Sequence, residues 1–186
     1  LAAVICIEDP LREEAPSVIR QLKEAGFKRI VMMTGDSERT AAAIAKKVGV
    51  DDYFSEVLPE DKARFVEEEK AKGRKVIMIG DGINDSPALS AADAGIAVSE
   101  GAEIAREIAD IMIKKDSLDE VVLLRHLSMD LMKRVHGNYR FVISFNLGLI
   151  LLGVAGIITP SMSALLHNSS TLAISLKSMT NLLPEE

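Results

Sequence analysis

The sequence predicts an α/β domain with a doubly wound parallel sheet, followed by a C-terminal transmembrane helical hairpin. Three observations predict this. Short apolar runs alternate with amphipathic, helix-length segments through the first 116 residues. All but one of the 22 Lys and Arg, and all but two of the 28 Asp and Glu, fall in residues 1–140. Residues 141–158 then run as FVISFNLGLILLGVAGII, with only Ser144 and Asn146 as polar side chains.

The apolar runs are AAVICI (2–7), RIVMM (29–33), KVIMI (75–79) and AGIAV (94–98), with weaker candidates at 53–57 and 110–113. Runs that are apolar throughout suit strands of a parallel sheet covered on both faces. Between the first two, Ala15, Val18, Ile19, Leu22 and Ala25 recur at helical spacing, and Gly26 supplies a stop. Ser37 is placed to cap a second helix with Ala41, Ile44, Ala45 and Val48 on its apolar face, ended by Gly49. A third, more polar helix is expected over 61–72, closed by Gly73. Ligands of such sheets bind beyond the carboxyl ends of the strands. The residues expected to converge there are Glu8 and Asp9, then Thr34, Gly35 and Asp36, then 80–85.

A long helical pattern starts at Ser117 and passes through the basic stretch KRVHGNYR into the apolar segment. The expected division is a domain over 1–116, a linker helix over 117–140 and two membrane helices over about 141–158 and 161–183. Eighteen apolar residues nearly cross ~30 Å of hydrocarbon. Thr159 and Pro160 leave room only for a tight connection, and Lys133, Arg134 and Arg140 mark the entry as the cytoplasmic end. A buried soluble helical hairpin is the competing reading, disfavoured because the first segment has no polar face.

Net charge is −6, with cations spread along the polar part, so no nucleic-acid footprint is present. The lone Cys6 lies in an apolar run and reads as a small buried side chain in a reducing compartment. The start LAAVICI lacks a basic region and does not read as a signal peptide; the expectation is a longer polypeptide cut here.

The stretch GDGINDSPAL (80–89) places Asp81 and Asp85 four apart, directly after an apolar run. Close carboxylates repel, and a hard cation offsets that repulsion: Mg²⁺ takes one or two carboxylates with phosphate oxygens and water. Gly80 and Gly82 let the backbone turn beside a phosphate, and Asn84 donates hydrogen bonds without charge. Thr34, Gly35 and Asp36 are candidates to hold phosphoryl oxygens, and Lys62 of LPEDK to balance the transferring charge. Each alone has a bland alternative: Thr34 and Asp36 as caps, Lys62 as a solvated charge, the two aspartates as loop polars. Their joint order after successive strands favours phosphoryl transfer.

TGD (34–36), PEDK (59–62) and GDGINDSPAL (80–89) resemble the haloacid-dehalogenase-like phosphotransferases. The extended GDGINDSPALSAADAGIAV, preceded by IEDPLREE, resembles the phosphorylation domain of P-type ATPases, and the hairpin with no further span resembles their heavy-metal-transporting subclass. The resemblance implies an ATP-driven transition-metal pump, an exporter, working through an aspartyl phosphate. It makes Thr34, Gly35, Asp36 and Lys62 catalytic, Asp81 and Asp85 Mg²⁺ ligands, and Gly80, Gly82, Asn84 and Asp9 supporting residues. The family's nucleophile motif, D-K-T-G-T, is absent. Asp9 follows an apolar run, but Pro10, Leu11 and Arg12 come next, unlike the soluble relatives. The sheet is therefore expected to lack its nucleophile strand. The chain alone is expected to be inactive, with ATP bound mainly by missing N-terminal parts: actuator domain, nucleotide-binding domain and earlier membrane helices. The resemblance also implies a multi-pass cell-membrane protein with lipid as partner and a cytoplasmic phosphorylation domain.

His167, Thr171 and Ser175 share a helix face in the second polar membrane segment. Polar groups at that depth suggest a transport path or interhelical glue. Asn146 after Phe145 is similar to the asparagine of copper pumps. Where those show M-x-x-S-S, this chain has His167, Asn168, Ser169, Ser170 and Thr171, more similar to the H-E-G-[GS]-T pattern of the cobalt, zinc and iron branch. Asn146, His167, Ser170 and Thr171 are thus candidate ligands of a transported divalent metal such as Zn²⁺, Co²⁺, Fe²⁺ or Mn²⁺, since Cu(I) prefers sulfur. A soluble phosphatase of the superfamily and a non-catalytic module remain the alternatives.

Overall fold

The computed structural model describes residues 11–81, 84–98, 107–113 and 117–182. The predicted first strand (2–7), Cys6, Glu8, Asp9 and Gly82 lie outside the described residues. Two compact units emerge, Leu1–Leu123 and Leu124–Glu186.

In the first unit, helices α1 (Ala15–Glu24), α2 (Glu38–Val48), α3 (Pro59–Ala71) and α4 (Ser86–Ala91) alternate with strands β1 (Val31–Met33), β2 (Asp52–Phe54), β3 (Ile77–Gly80), β4 (Ala94–Val98) and β5 (Ile111–Ile113). The apolar periodicity predicted for the helices is what they bury: Ala15, Val18 and Leu22 on α1, and Ala41, Ala45 and Val48 on α2. α3 starts two residues before its predicted position, because Pro59 at the first turn costs no hydrogen bond and has its backbone angle preset. Ser37 stands at the α2 N-cap, but its hydroxyl lies 3.1 Å from Thr40 Oγ1 and makes no capping bond.

Every pairing is parallel. β1 pairs with β2 (Val31 opposite Asp52); β3 pairs with β4 (Ile77 opposite Ala94) and β4 with β5 (Ile96 opposite Ile111). Among the described residues these form a two-stranded and a three-stranded sheet, and the outer edges of β1 and β3 carry no strand. β4 is the most enclosed strand, with Gly95, Ile96 and Ala97 buried. β3 buries Met78, whereas Ile77 and Ile79 are 40% and 36% exposed, so that face is not covered by the described residues.

The core that positions the polar loops is a cluster of Val66, Met78, Ala88 and Leu89, with Met33, Ala63 and Ala92 packed on it. It joins the end of β1, the middle of α3 and all of α4. A Cβ on Gly95 would sit 2.6 Å from Leu89 O, so only glycine lets β4 approach α4 this closely.

In the second unit, one unbroken helix, α5 (Asp119–Val154), replaces the predicted linker and first membrane helix. It begins within the first unit, where Val121 and Val122 are buried. It ends four residues earlier than predicted, because the chain turns at Gly156, whose φ is 71°. α6 (Pro160–Ser178) follows, with Thr159 as N-cap accepting from Met162 N at 3.3 Å. The two helices are joined along their length: Asn138 Nδ2 donates to Ser178 Oγ at 2.8 Å, and His167 Nδ1 lies 2.8 Å from Asn146 Oδ1. Arg134 donates to the carbonyls of Ser178, Thr180 and Asn181, satisfying acceptors that a helix end leaves open. Among the described helices only α5 is long and apolar enough to cross a membrane. The Ser, Thr, Asn, His and Lys side chains of α6 keep it below that mark.

Candidate functional site

The polar loops of the first unit gather at the carboxyl ends of β1 and β3. The loop after β1 is braced by the one after β2. Thr34 N donates to Phe54 O (3.0 Å), Val57 N to Thr34 O (3.0 Å) and Glu56 N to Asp36 O (2.9 Å). Glu56 takes φ 53° to reach its partner, a left-handed conformation that strains a non-glycine residue. Within the loop, Thr34 Oγ1 donates to Asp36 Oδ2 at 2.8 Å and accepts from Asp36 N at 3.1 Å. Thr34 and Asp36 are thus one hydrogen-bonded unit. The Gly35 N–H beside them makes no hydrogen bond among the described residues.

The second pair is Lys62 and Asp85. Lys62 Nζ donates to Asp85 Oδ1 at 2.7 Å, with the side chains 15% and 12% exposed. Lys62 sits in the first turn of α3, and Asp85 at the N-cap of α4, whose Ala88 and Leu89 anchor it in the core. Leu89 N donates to Asp85 O at 2.8 Å. The Asp85 carboxyl lies over Gly80: a Cβ there would come within 2.7 Å of Asp85 Cβ and collide with Oδ2. Glycine at 80 is therefore a steric requirement of this loop. Asp85 Oδ2 accepts no hydrogen bond among the described residues.

Asp81, the first residue past β3, is exposed, and so is Asn84. No hydrogen bond or ion pair links the Thr34–Asp36 pair to the Lys62–Asp85 pair. Both pairs border the same core cluster, through Met33 next to Thr34, Ala63 next to Lys62, and Ala88 in the helix that Asp85 opens. Lys62 and the Gly35 N–H are donors suited to an anion. The Asp85 oxygen that accepts no hydrogen bond among the described residues, and the Asp81 carboxylate, are donors suited to a cation. Hard oxygen donors on a buried, pinned carboxylate fit Mg²⁺.

Two features of the site carry no sequence signal. Glu56 is one, since glutamate is not a residue that marks left-handed positions. The other is Glu38, which accepts from Tyr53 OH (2.7 Å) and Ser55 Oγ (2.5 Å), tying the first turn of α2 to the strand–loop junction after β2. Those two donors hold the Glu38 carboxyl below its ordinary pKa.

In the second unit, the His167–Asn146 pair is the polar contact inside the apolar stretch. Ser170 Oγ and Thr171 Oγ1 both donate to His167 O, at 2.8 and 3.0 Å. Their protons are spent on the backbone and their oxygen lone pairs remain. No group of three or more His, Cys, Asp or Glu is placed to bind a metal among the described residues.

The family model for haloacid dehalogenase-like hydrolases matches residues 1–93. The chain is 38% identical over 175 residues to the manganese-exporting P-type ATPase of Mycobacterium leprae, covering 94% of this chain and 24% of that protein. It is 42% identical over 166 residues to copper-transporting ATPase 2 of Rhizobium meliloti, covering 89% of this chain and 20% of that one. A solved zinc-transporting PIB-type ATPase in the E2.Pi state superposes with TM-score 0.79 at 32% identity, over 92% of this chain and 28% of the other. The chain spans about a quarter of the length of these relatives.

Proposed function

The chain belongs to the haloacid dehalogenase-like hydrolases, in the branch of the heavy-metal P-type ATPases, and from that premise we propose that it is the phosphate-handling and terminal membrane part of an ATP-driven transition-metal exporter. Such a pump works through an aspartyl phosphate. On this reading the acceptor aspartate, the nucleotide-binding domain and the other membrane helices would lie in the part of the relatives, about three quarters, that this chain does not span.

The observation that carries the reading is the pinned Lys62–Asp85 pair at the mouth of β3. Lys62 has three ammonium protons and gives one to Asp85, leaving two for phosphoryl oxygens. Asp85 holds Lys62 in place, so the cation is oriented before a phosphoryl group arrives, and pre-orientation lowers a barrier where charge shifts. On the Thr34–Asp36 loop the unspent donor is the Gly35 N–H, because the Thr34 hydroxyl proton goes to Asp36 and holds the loop in shape. Asp81 and Asp85 would hold Mg²⁺, which when bound supplies positive charge against the phosphoryl oxygens. Gly80 and Asn84 shape that turn, and Gly82 and Asp9 support it.

Titration of the chain with Mg²⁺ in the presence of inorganic phosphate, followed by amide NMR, tests this. Shifts should concentrate at 34–36, 62 and 80–85. A folded chain with no shift at those positions refutes the site.

α5 and α6 are proposed as a transmembrane hairpin. Phe141, Ile143, Leu147, Ile150 and Leu151 of α5 are between 48% and 61% exposed, unlike the core helix of a water-soluble protein. α6, at 19 residues, extends about 28 Å at 1.5 Å per residue, close to the ~30 Å of hydrocarbon. Within it, His167 is proposed to meet the transported metal. With Nδ1–H donating to Asn146 Oδ1, the neutral ring offers its Nε2 lone pair. Asn146 then orients the ligand, while Ser170 and Thr171 offer oxygen lone pairs. A borderline or hard divalent metal such as Zn²⁺, Co²⁺, Fe²⁺ or Mn²⁺ suits these donors better than Cu(I). In the intact pump, ATP-driven metal uptake into inverted vesicles should be lost in His167→Ala and weakened in Asn146→Leu. Retained uptake in His167→Ala removes His167 from the path.

A further inference from the structure

α4 is a helix of six residues, SPALSA. Isolated helices shorter than ~12–15 residues are marginal in water, so the neighbours of α4 set where it stands. Three residues of α3, four apart and on one face, meet it in order: Lys62, Val66 and Lys70. Lys62 Nζ donates at 2.7 Å to Asp85 Oδ1, at the N-cap of α4. Val66 packs with Ala88 and Leu89 in its middle. Lys70 Nζ donates at 2.6 Å to the carbonyl of Ala91, its last residue. A helix end leaves such carbonyls without intrahelical partners and carries partial negative charge, and an ammonium group answers both. Lys23 makes the same kind of contact to Gly49 O at the end of α2, at 2.9 Å. What sets Lys70 apart is the helix it holds, because α4 carries Asp85 at its other end.

We propose that Lys70 is a positioning residue for the Mg²⁺ site: by fixing the carbonyl end of α4 it sets how the Asp85 carboxylate stands over Gly80. Both ends of α4 are tied to one helix, Asp85 by Lys62 and Ala91 by Lys70. Without Lys70 the Ala91 carbonyl loses that donor, and α4 is free to pivot on the Lys62–Asp85 pair. A small pivot matters, because Mg²⁺ demands near-ideal octahedral geometry. The seat itself is tight, since Asp85 lies where a Cβ on residue 80 would be. Lys70 acts through α4 and not on the ion. The proposal rests on the reading of Asp81 and Asp85 as Mg²⁺ ligands.

The test uses the full chain in detergent micelles. Amide hydrogen exchange is read first, without Mg²⁺. Mg²⁺ is then titrated with inorganic phosphate present, and its apparent affinity is read from amide NMR shifts at 80–85. Leu89 N donates to Asp85 O and Ala92 N to Ala88 O, so these two amides report on α4. K70M should weaken Mg²⁺ affinity by about tenfold, the lower end of the loss when a group supporting a metal ligand is removed. It should also speed exchange at Leu89 and Ala92 relative to Ala25, whose N–H bonds to Gln21 O at the end of α1. K70R, which keeps the charge and the donor, should restore both. K23M removes the comparable contact on α2 and should leave Mg²⁺ affinity unchanged. K70Q, with a shorter and neutral donor, should fall between K70M and K70R, and it carries the comparison should K70M not fold. Undiminished affinity in K70M, or in K70Q where that variant stands in, overturns the proposal. So does an equal loss in K23M, which would mark a general loss of stability, and so does a K70R chain as weak as K70M. An unsubstituted chain without Mg²⁺ shifts overturns the site and this proposal together. One that binds Mg²⁺ equally well whatever stands at position 70 overturns this proposal alone.

Discussion

Leu58 in the first unit and Leu151 in the second are both 61% exposed, and Leu89 in the first is 1% exposed. In the first unit Leu58 is one of a few exposed bulky apolar side chains, with Phe54, Ile77, Ile79 and Leu123 at 36–41%, and the bulky residues beside Leu89 are buried. In the second, Leu151 is one of a continuous run in which Phe141, Leu147 and Ile150 are also half-exposed or more. The first unit buries the apolar faces of its helices and most of its bulky apolar groups. The second leaves its apolar groups outward. The same side chain at the same exposure therefore has a different meaning in each unit. Under the proposed membrane reading, what differs is the solvent each surface meets.

The comparison can be broken by substitution. The largest effect is expected at Leu89: Leu89→Ala leaves a cavity in the cluster with Val66 and Met78 and should cost about 2–5 kcal/mol, read as a lower urea midpoint. Leu151→Ala should leave that midpoint in place. In the intact pump, Lys62→Ala or Asp85→Asn should lower ATP turnover by ~10²–10³, by analogy with the loss of one oriented donor. A loss under tenfold would separate the pair from the chemistry. Next, Leu151→Asp should disfavour membrane insertion by about 2.5–3.5 kcal/mol, read by alkaline extraction of membranes. Leu58→Asp, at identical exposure, should change stability by no more than ~0.5 kcal/mol. Equal outcomes for these two would erase the distinction between the units.

A subtler difference lies in pH. Glu69 of α3 is 6% exposed and accepts from Lys72 at 2.8 Å, from Arg74, and from Arg29 at 3.4 Å. The Lys72 and Arg74 hydrogen bonds lower its pKa from 4.5 to about 2. The folded value lies below the unfolded one, so the stabilisation is fully present above pH 4.5 and is lost as pH falls towards 2. Acid titration of stability should show a fall across that window that Glu69→Gln lacks. The smallest effect is expected at Glu56: Glu56→Asn relieves the left-handed strain at φ 53° and should raise stability by roughly 0.5–1 kcal/mol, visible in the thermal midpoint.

Much of the first unit was legible. The run AGIAV was predicted as a strand over 94–98, and β4 occupies those residues. The helix faces of α1 and α2 follow their periodicity, because one-sided burial leaves a period in the sequence. α4 was not foreseen: at six residues, SPALSA is too short to show a period. The weaker strand candidates at 53–57 and 110–113 proved to be β2 and β5, each three residues long. In the second unit the sequence suggested a boundary at residue 140, where composition changes. α5 crosses it without a break, because helix geometry responds to backbone hydrogen bonds and is indifferent to whether a residue faces water or lipid.

The polar loops were legible as candidates, since TGD, PEDK and GDGINDSPAL each stand out after an apolar run or at a helix start. Which of their side chains touch was not. Lys62 and Asp85 are 23 residues apart, and their contact depends on α3 and α4 packing on one cluster. Likewise His167 meets Asn146 only because a turn at Gly156 returns α6 along α5.

The sequence by itself determined the kinds of element, the order of the polar loops and the change from a charged to an apolar chain, since these follow from local periodicity and composition. The tertiary structure decided that Asp85 has one carboxylate oxygen bound and one without a partner among the described residues, that Thr34 is hydrogen-bonded to Asp36, and that Glu56 is strained to brace that loop. Contacts of a few ångströms between distant residues depend on how whole elements pack. No local pattern encodes that packing.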